Sequence, residues 1–133
     1  MYLLDTNIIS YWMRGDQRII EKIKSCSPTE LSLSTITLAE IYYGIEKSPV
    51  KKKERRKKIE RIKSLLDTYP FNEHAAKNYG VIRARLEKMG QPISERDIQI
   101  AASAVANRLC VVTHNTKEFG RVAKLRVEDW ASV

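Results

Sequence analysis

The chain reads as an α/β protein: a three-layer α/β/α sandwich with a mostly parallel central sheet, one domain over residues 1–133. Three observations predict it. Apolar runs at residues 2–4 and 109–113, and an alternating segment at 30–34, are strand length and no more. Segments with helical spacing separate them, as where Ala75, Tyr79, Ile82 and Leu86 follow one another at intervals of four, three and four. Strands alternating with helices favour parallel pairing through crossovers, and 133 residues without an internal repeat suit one hydrophobic core.

Tyr2-Leu3-Leu4 is a short buried strand that stops at Asp5. Thr6 or Asn7 then caps a helix carrying Ile8, Ile9, Tyr11 and Trp12. A second helix spans residues 18–24, with Ile19, Ile20 and Ile23 on one face, and Pro28 and Thr29 break it. The Leu-Ser-Leu-Ser alternation within residues 30–34 predicts a second strand, followed by a helix over 35–45 that Gly44, Ser48 and Pro49 punctuate. Residues 51–63 carry nine basic side chains against Glu54 and Glu60, a net +7. Ile59, Ile62 and Leu66 keep helical spacing through it, so it reads as a surface helix with one buried stripe. Residues 69–71 make a short connection or strand. Gly90 closes the helix begun near Ala75, and Pro92 separates it from a helix over 95–107. Residues 109–113 form the clearest buried strand, and 125–130 hold one more.

The formal charge is +8, with a sequence pI near 9.6, the usual footprint of a polyanion-binding protein. The two cysteines, Cys26 and Cys110, have no metal-site spacing and no disulfide framework, which suits a reducing cytoplasm. The apolar start ends at Asp5, too soon for a signal peptide, and no run reaches the ~18 apolar residues of a membrane span.

Acidic signatures recur where strands end or helices begin: Asp5, Glu40, Asp97 and the stretch from Thr113 to Glu118. The carboxyl ends of parallel strands are where an open α/β sheet builds its site. Taken singly, each acid reads equally well as structure. Thr37-x-x-Glu40 and Ser94-x-x-Asp97 match the helix capping box, and Asp5 suits a cap or turn. Gathered on one sheet edge they would repel one another unless a cation neutralised them, and an all-oxygen set suits Mg²⁺ or Mn²⁺. Competing chemistries find little support. His74 and His114 are the only histidines, no Gly-rich phosphate loop or Gly-x-Ser-x-Gly elbow occurs, and Asp5 lacks a second aspartate two positions on.

At these residues the chain resembles the PIN-domain ribonucleases, and among them the VapC toxins of bacterial VapBC toxin–antitoxin modules. The matching pieces are MYLLDTNII at residues 1–9, STITLAEIYYG at 34–44, DIQIAASA at 97–104, VVTHNTKEF at 111–119 and VEDW at 127–130, in family order. The resemblance implies that Asp5, Glu40 and Asp97 occupy the family's acidic active-site places, with Asp5 and Asp97 as the core Mg²⁺ ligands. It departs at Asn115, where many members carry a fourth acid; Glu118, three residues later, is the alternative carboxylate, and one firmly held ion is expected rather than two. The form of the 113–119 stretch and the Glu-Asp-Trp ending resemble the enterobacterial-type branch, which implies cutting of initiator tRNA in its anticodon loop. Also implied are a VapB antitoxin, a homodimer and a toxin–antitoxin hetero-oligomer. The charge run makes Lys52, Arg55 and Arg56 candidates for the RNA backbone, against the alternative of a merely solvated face. Two rivals stay open at this point: a catalytically silent nucleic-acid-binding module, and a structure-specific DNA nuclease.

Overall fold

Five parallel strands order the molecule as β3-β2-β1-β4-β5 in the computed structural model, which describes residues 1–131. The strands are β1 (Tyr2–Leu4), β2 (Leu31–Ser34), β3 (Asp67–Tyr69), β4 (Cys110–Val112) and β5 (Val127–Glu128). The helices are α1 (Thr6–Met13), α2 (Gln17–Lys24), α3 (Thr35–Lys47), α4 (Lys52–Leu65), α5 (Glu73–Lys88), α6 (Glu95–Ala106) and α7 (Thr116–Phe119). The last two residues of the expected 1–133 domain lie outside the described ones.

Alternation along β1 sets the three layers. Leu4 and Val112 join Ile8, Ile41 and Ile59, so α1 to α4 cover one face. Leu3 and Val111 point the other way, into a core with Leu86, Ile100 and Phe119, which α5, α6 and α7 cover. β2 departs from the in–out pattern its sequence suggests: all four of its residues are buried. Its serines are accommodated by bonding, since the Ser32 hydroxyl donates to the Tyr2 carbonyl at 2.6 Å and Ser34 Oγ accepts the Thr37 N–H at 3.1 Å.

Two caps differ from their expected places. The cap of α1 is Asp5 itself, whose Oδ1 accepts the Thr6 N–H at 2.7 Å, and not Thr6 or Asn7. The cap of α3 is Ser34, so Glu40 lies in the second turn and the capping-box explanation of Glu40 fails.

The charge run folds as the expected amphipathic helix, with Ile59 and Ile62 buried. Its cations are not equivalent. Arg55 turns inward: its guanidinium donates to the carbonyls of Gly44 at 3.2 Å, Ile45 at 3.1 Å and Ser48, closing the C-terminal end of α3. Lys52 and Arg56 both pair with Glu46. Replacing Arg55 with alanine is expected to cost about 2 kcal/mol, because the three carbonyls would no longer have their charged donor. Urea unfolding measures this; an unchanged midpoint would deny Arg55 its bracing role.

Candidate active site

The chain order reverses direction in the sheet between β1 and β4: β2 and β3 lie to one side of β1, β4 and β5 to the other. At such a switch point the loops leaving neighbouring strands part and open a crevice. Asp5 leaves β1 into that crevice and Thr113 leaves β4 beside it.

Asp5 is 4 % exposed. Besides capping α1, it accepts the Thr113 hydroxyl on Oδ2 at 2.8 Å. Thr113 Oγ1 in turn accepts the Asn115 N–H at 2.9 Å, and Asn115 Nδ2 donates to Asp97 Oδ2 at 3.0 Å. A relay of polar contacts thus joins Asp5 to Asp97 through the loop after β4. Asp97 sits in the first turn of α6, whose cap Ser94 accepts the Asp97 N–H at 3.2 Å. Glu40 faces the same space from α3: Oε1 accepts the Thr6 hydroxyl at 2.7 Å and Oε2 pairs with Arg96 at 2.9 Å. Asp5, Glu40, Asp97 and Asn115 all line one cleft of about 350 Å³, together with Tyr11 and Arg14.

Glu118 does not line this cleft; it sits on α7, and its charge nevertheless acts on Asp97. The candidate RNA contacts Lys52, Arg55 and Arg56 lie on α4, outside the cleft. The sequence places Thr113 and Thr6 within the matching stretches but gives neither of them a role in the site. A hydroxyl in a short polar loop carries no pattern of its own; only the adjacency of β1 and β4 gives Thr113 its carboxylate partner.

Burial pushes the Asp5 carboxyl up to about 6, against the pull of the Thr113 and Thr6 hydrogen bonds, and the charges of Asp97 and Glu40 add to the rise. Asp97 is raised as well, first by burial, then by the charges of Glu40 and Glu118, while hydrogen bonds from Ser94 and Asn115 oppose this. Glu40 has a cationic partner in Arg96; among the described residues neither Asp5 nor Asp97 forms an ion pair with any cationic side chain. No three His, Cys, Asp or Glu side chains among the described residues are grouped closely enough to hold an ion as they stand. The pair that fits a hard divalent cation is therefore Asp5 and Asp97: two crowded carboxylates, oxygen donors throughout, with no protein cation answering their charge.

A sequence profile described as the PIN domain matches residues 2–125. The chain is 35% identical over 130 residues to the tRNA(fMet)-specific endonuclease VapC of Shigella flexneri, covering 98% of each. It is 38% identical over 129 residues to ribonuclease VapC2 of Haemophilus influenzae, covering 97% of each. The DNA-bound VapBC structure from Salmonella typhimurium superposes with a TM-score of 0.91 at 34% identity, covering 98% of both chains. A parallel five-stranded sheet with carboxylates at its switch point, a profile match over nearly the whole length and full-length relatives of one kind place the chain in the PIN-domain family, in its VapC group.

Proposed function

We propose that this chain is the toxin of a type II toxin–antitoxin pair, a divalent-metal-dependent endoribonuclease that cuts RNA phosphodiester bonds and so inhibits translation. The observation that carries it is the pair of carboxylates, Asp5 and Asp97, brought together without a cationic partner at the sheet's switch point. The kinds of relative it matches support the same reading.

Asp5 and Asp97 would hold Mg²⁺, or Mn²⁺ in its place. When bound there, the ion neutralises charge developing on the phosphate and makes a water more acidic. The chain's own residues do the rest. Thr113 fixes Asp5 and Asn115 fixes Asp97, so neither carboxylate must reorganise when substrate arrives. Glu40, anchored by the Thr6 hydroxyl, orients the attacking water. Asn115 contributes an amide and no charge, which favours one firmly held ion over two; Glu118 adds negative potential from outside the cleft. In-line attack by water leaves a 5′-phosphate and a 3′-hydroxyl.

Initiator tRNA, cut in its anticodon loop, is the substrate proposed, after the Shigella relative named for tRNA(fMet). The partner proposed is a VapB-type antitoxin, after the Salmonella VapBC complex; a homodimer of this chain and a toxin–antitoxin hetero-oligomer are proposed with it. No helix among the described residues is long and apolar enough to cross a membrane, and a cytoplasmic enzyme acting as one domain over residues 1–133 is the setting proposed.

The test is parallel incubation of the purified chain with initiator tRNA, an elongator tRNA, unstructured RNA and flapped DNA, each with Mg²⁺, Mn²⁺ or EDTA. Metal-dependent cutting of initiator tRNA, with 3′-hydroxyl ends, is expected. Cyclic phosphate ends would overturn the water mechanism; preference for flapped DNA would make the chain a DNA nuclease; binding without cutting would make it a silent module.

A further inference from the structure

Resting on the ribonuclease reading, we propose that single-stranded RNA leaves the carboxylate cleft along a cationic track formed by Arg14, Lys58 and Arg61, and not over the Lys52 and Arg56 face of α4. Arg14 is the hinge of this path. It ends α1, and the following Gly15 turns the chain in the left-handed region at φ +81°, which fixes where the guanidinium emerges. That guanidinium lies over the Tyr11 ring, 5.2 Å from its centroid. Tyr11 itself is steadied by an edge contact with His114, with ring centroids 6.4 Å apart.

Arg14 lines three hollows in succession. The first is the acidic cleft; the second, about 390 Å³, adds Arg55, Lys58 and Arg96; the third, about 310 Å³, adds Arg61. Acids disappear along this sequence. The second hollow contains Glu40 alone, already answered by Arg96, and the third contains none. Among the described residues neither Arg14 nor Arg61 has a carboxylate partner, and Lys58 spends one of its three protons on the Met13 carbonyl at 3.1 Å. Lys52 and Arg56, by contrast, share Glu46, and Arg55 is used by the end of α3. A phosphate between Asp5 and Asp97 has neighbours along its strand. Open cations continuous with the cleft are where those neighbours gain most, since a cation already paired must first give up its partner.

The decisive measurement is the salt dependence of RNA binding, read by fluorescence anisotropy with a short labelled single-stranded RNA in EDTA, where no cutting occurs. Every phosphate of a single strand that the protein ceases to neutralise takes about 0.7 off the slope of log affinity against log salt. Arg14→Gln with Arg61→Gln should therefore flatten the slope by about 1.4 and weaken binding at least about tenfold at low salt. Lys52→Gln with Arg56→Gln should change the slope far less. Arg14→Lys, which keeps the charge, should recover most of the Arg14 share. Equal flattening by both pairs, or a larger effect from Lys52 and Arg56, would overturn the track. So would finding that the Arg14 and Arg61 changes weaken an acidic peptide while RNA binding is untouched, which would assign the groove to a protein partner. Binding needs no catalysis, so a chain that binds as expected but never cuts refutes the ribonuclease reading alone. A chain that cuts while the Arg14 and Arg61 slope is unmoved refutes the track alone.

Discussion

Asp97→Asn is expected to lower RNA cleavage by at least about a thousandfold, some 4 kcal/mol of transition-state stabilisation. The change keeps the size and shape of the side chain and removes only its charge. Asp97 is half-buried, sits in the first turn of α6 and reaches across to Asn115. Its fold-forming contribution, the backbone N–H offered to Ser94, survives the substitution. The unfolding midpoint should therefore shift little, and RNA should bind as well as before or better, because a negative charge has left the cleft. A purified Asp97→Asn protein that cuts initiator tRNA at close to the parent rate would remove Asp97 from the mechanism. Unchanged cutting together with abolished Mg²⁺ binding would separate metal binding from catalysis.

The second large effect concerns pH. The folded Asp5 carboxyl titrates at about 6 instead of 3.8, so between those values the folded chain holds a proton that the unfolded chain has released. Stability from this group is greatest at low pH, falls as pH rises from about 4 to about 6, and is flat above; the full difference is about 3 kcal/mol. Asp97 is shifted in the same direction. In EDTA, Asp5→Asn should thus be more stable than the parent at neutral pH, and the gap should shrink at acid pH. Urea unfolding of both proteins across that range cancels every titrating group except those coupled to Asp5, namely Asp97 and Glu40. Adding Mg²⁺ should stabilise the parent at neutral pH and scarcely affect Asp5→Asn. If the two proteins run parallel with pH, the buried carboxylate is not the strained group that its surroundings make it.

Much of the architecture is legible in the chain. β1 and β4 announce themselves because both faces of a central parallel strand are buried, leaving unbroken apolar runs such as Leu109-Cys110-Val111-Val112. α5 is legible because Ile82 and Leu86 keep a single buried stripe. β2 is predicted for a partly wrong reason: Leu-Ser-Leu-Ser suggests one wet face, yet its serines are buried and bonded. α7, four residues long, has too few positions to show a period. The cap of α1 falls one or two residues from its expected place because Asp5 serves two ends at once, as the stop of a strand and the start of a helix. The order of the acids is plain in the sequence, but their partners are not. Charge in α4 is countable, whereas its use is hidden, since which cations meet Glu46 or the end of α3 depends on how two helices lie together.

The bond between Thr113 and Asp5 spans 108 positions of sequence. A ribosome making this chain must therefore deliver it as far as residues 110–113 before the first strand can meet the fourth. Until then Asp5 has no Thr113, Asp97 has no Asn115, and the cleft has no floor. For an enzyme whose proposed target is the tRNA that starts translation, a nascent chain that has not yet reached residue 113 lacks the assembled cleft. Any fragment ending before residue 113 should be inert as well. The hazard begins only once residue 113 has emerged, which is also when an antitoxin would have the assembled cleft to bind.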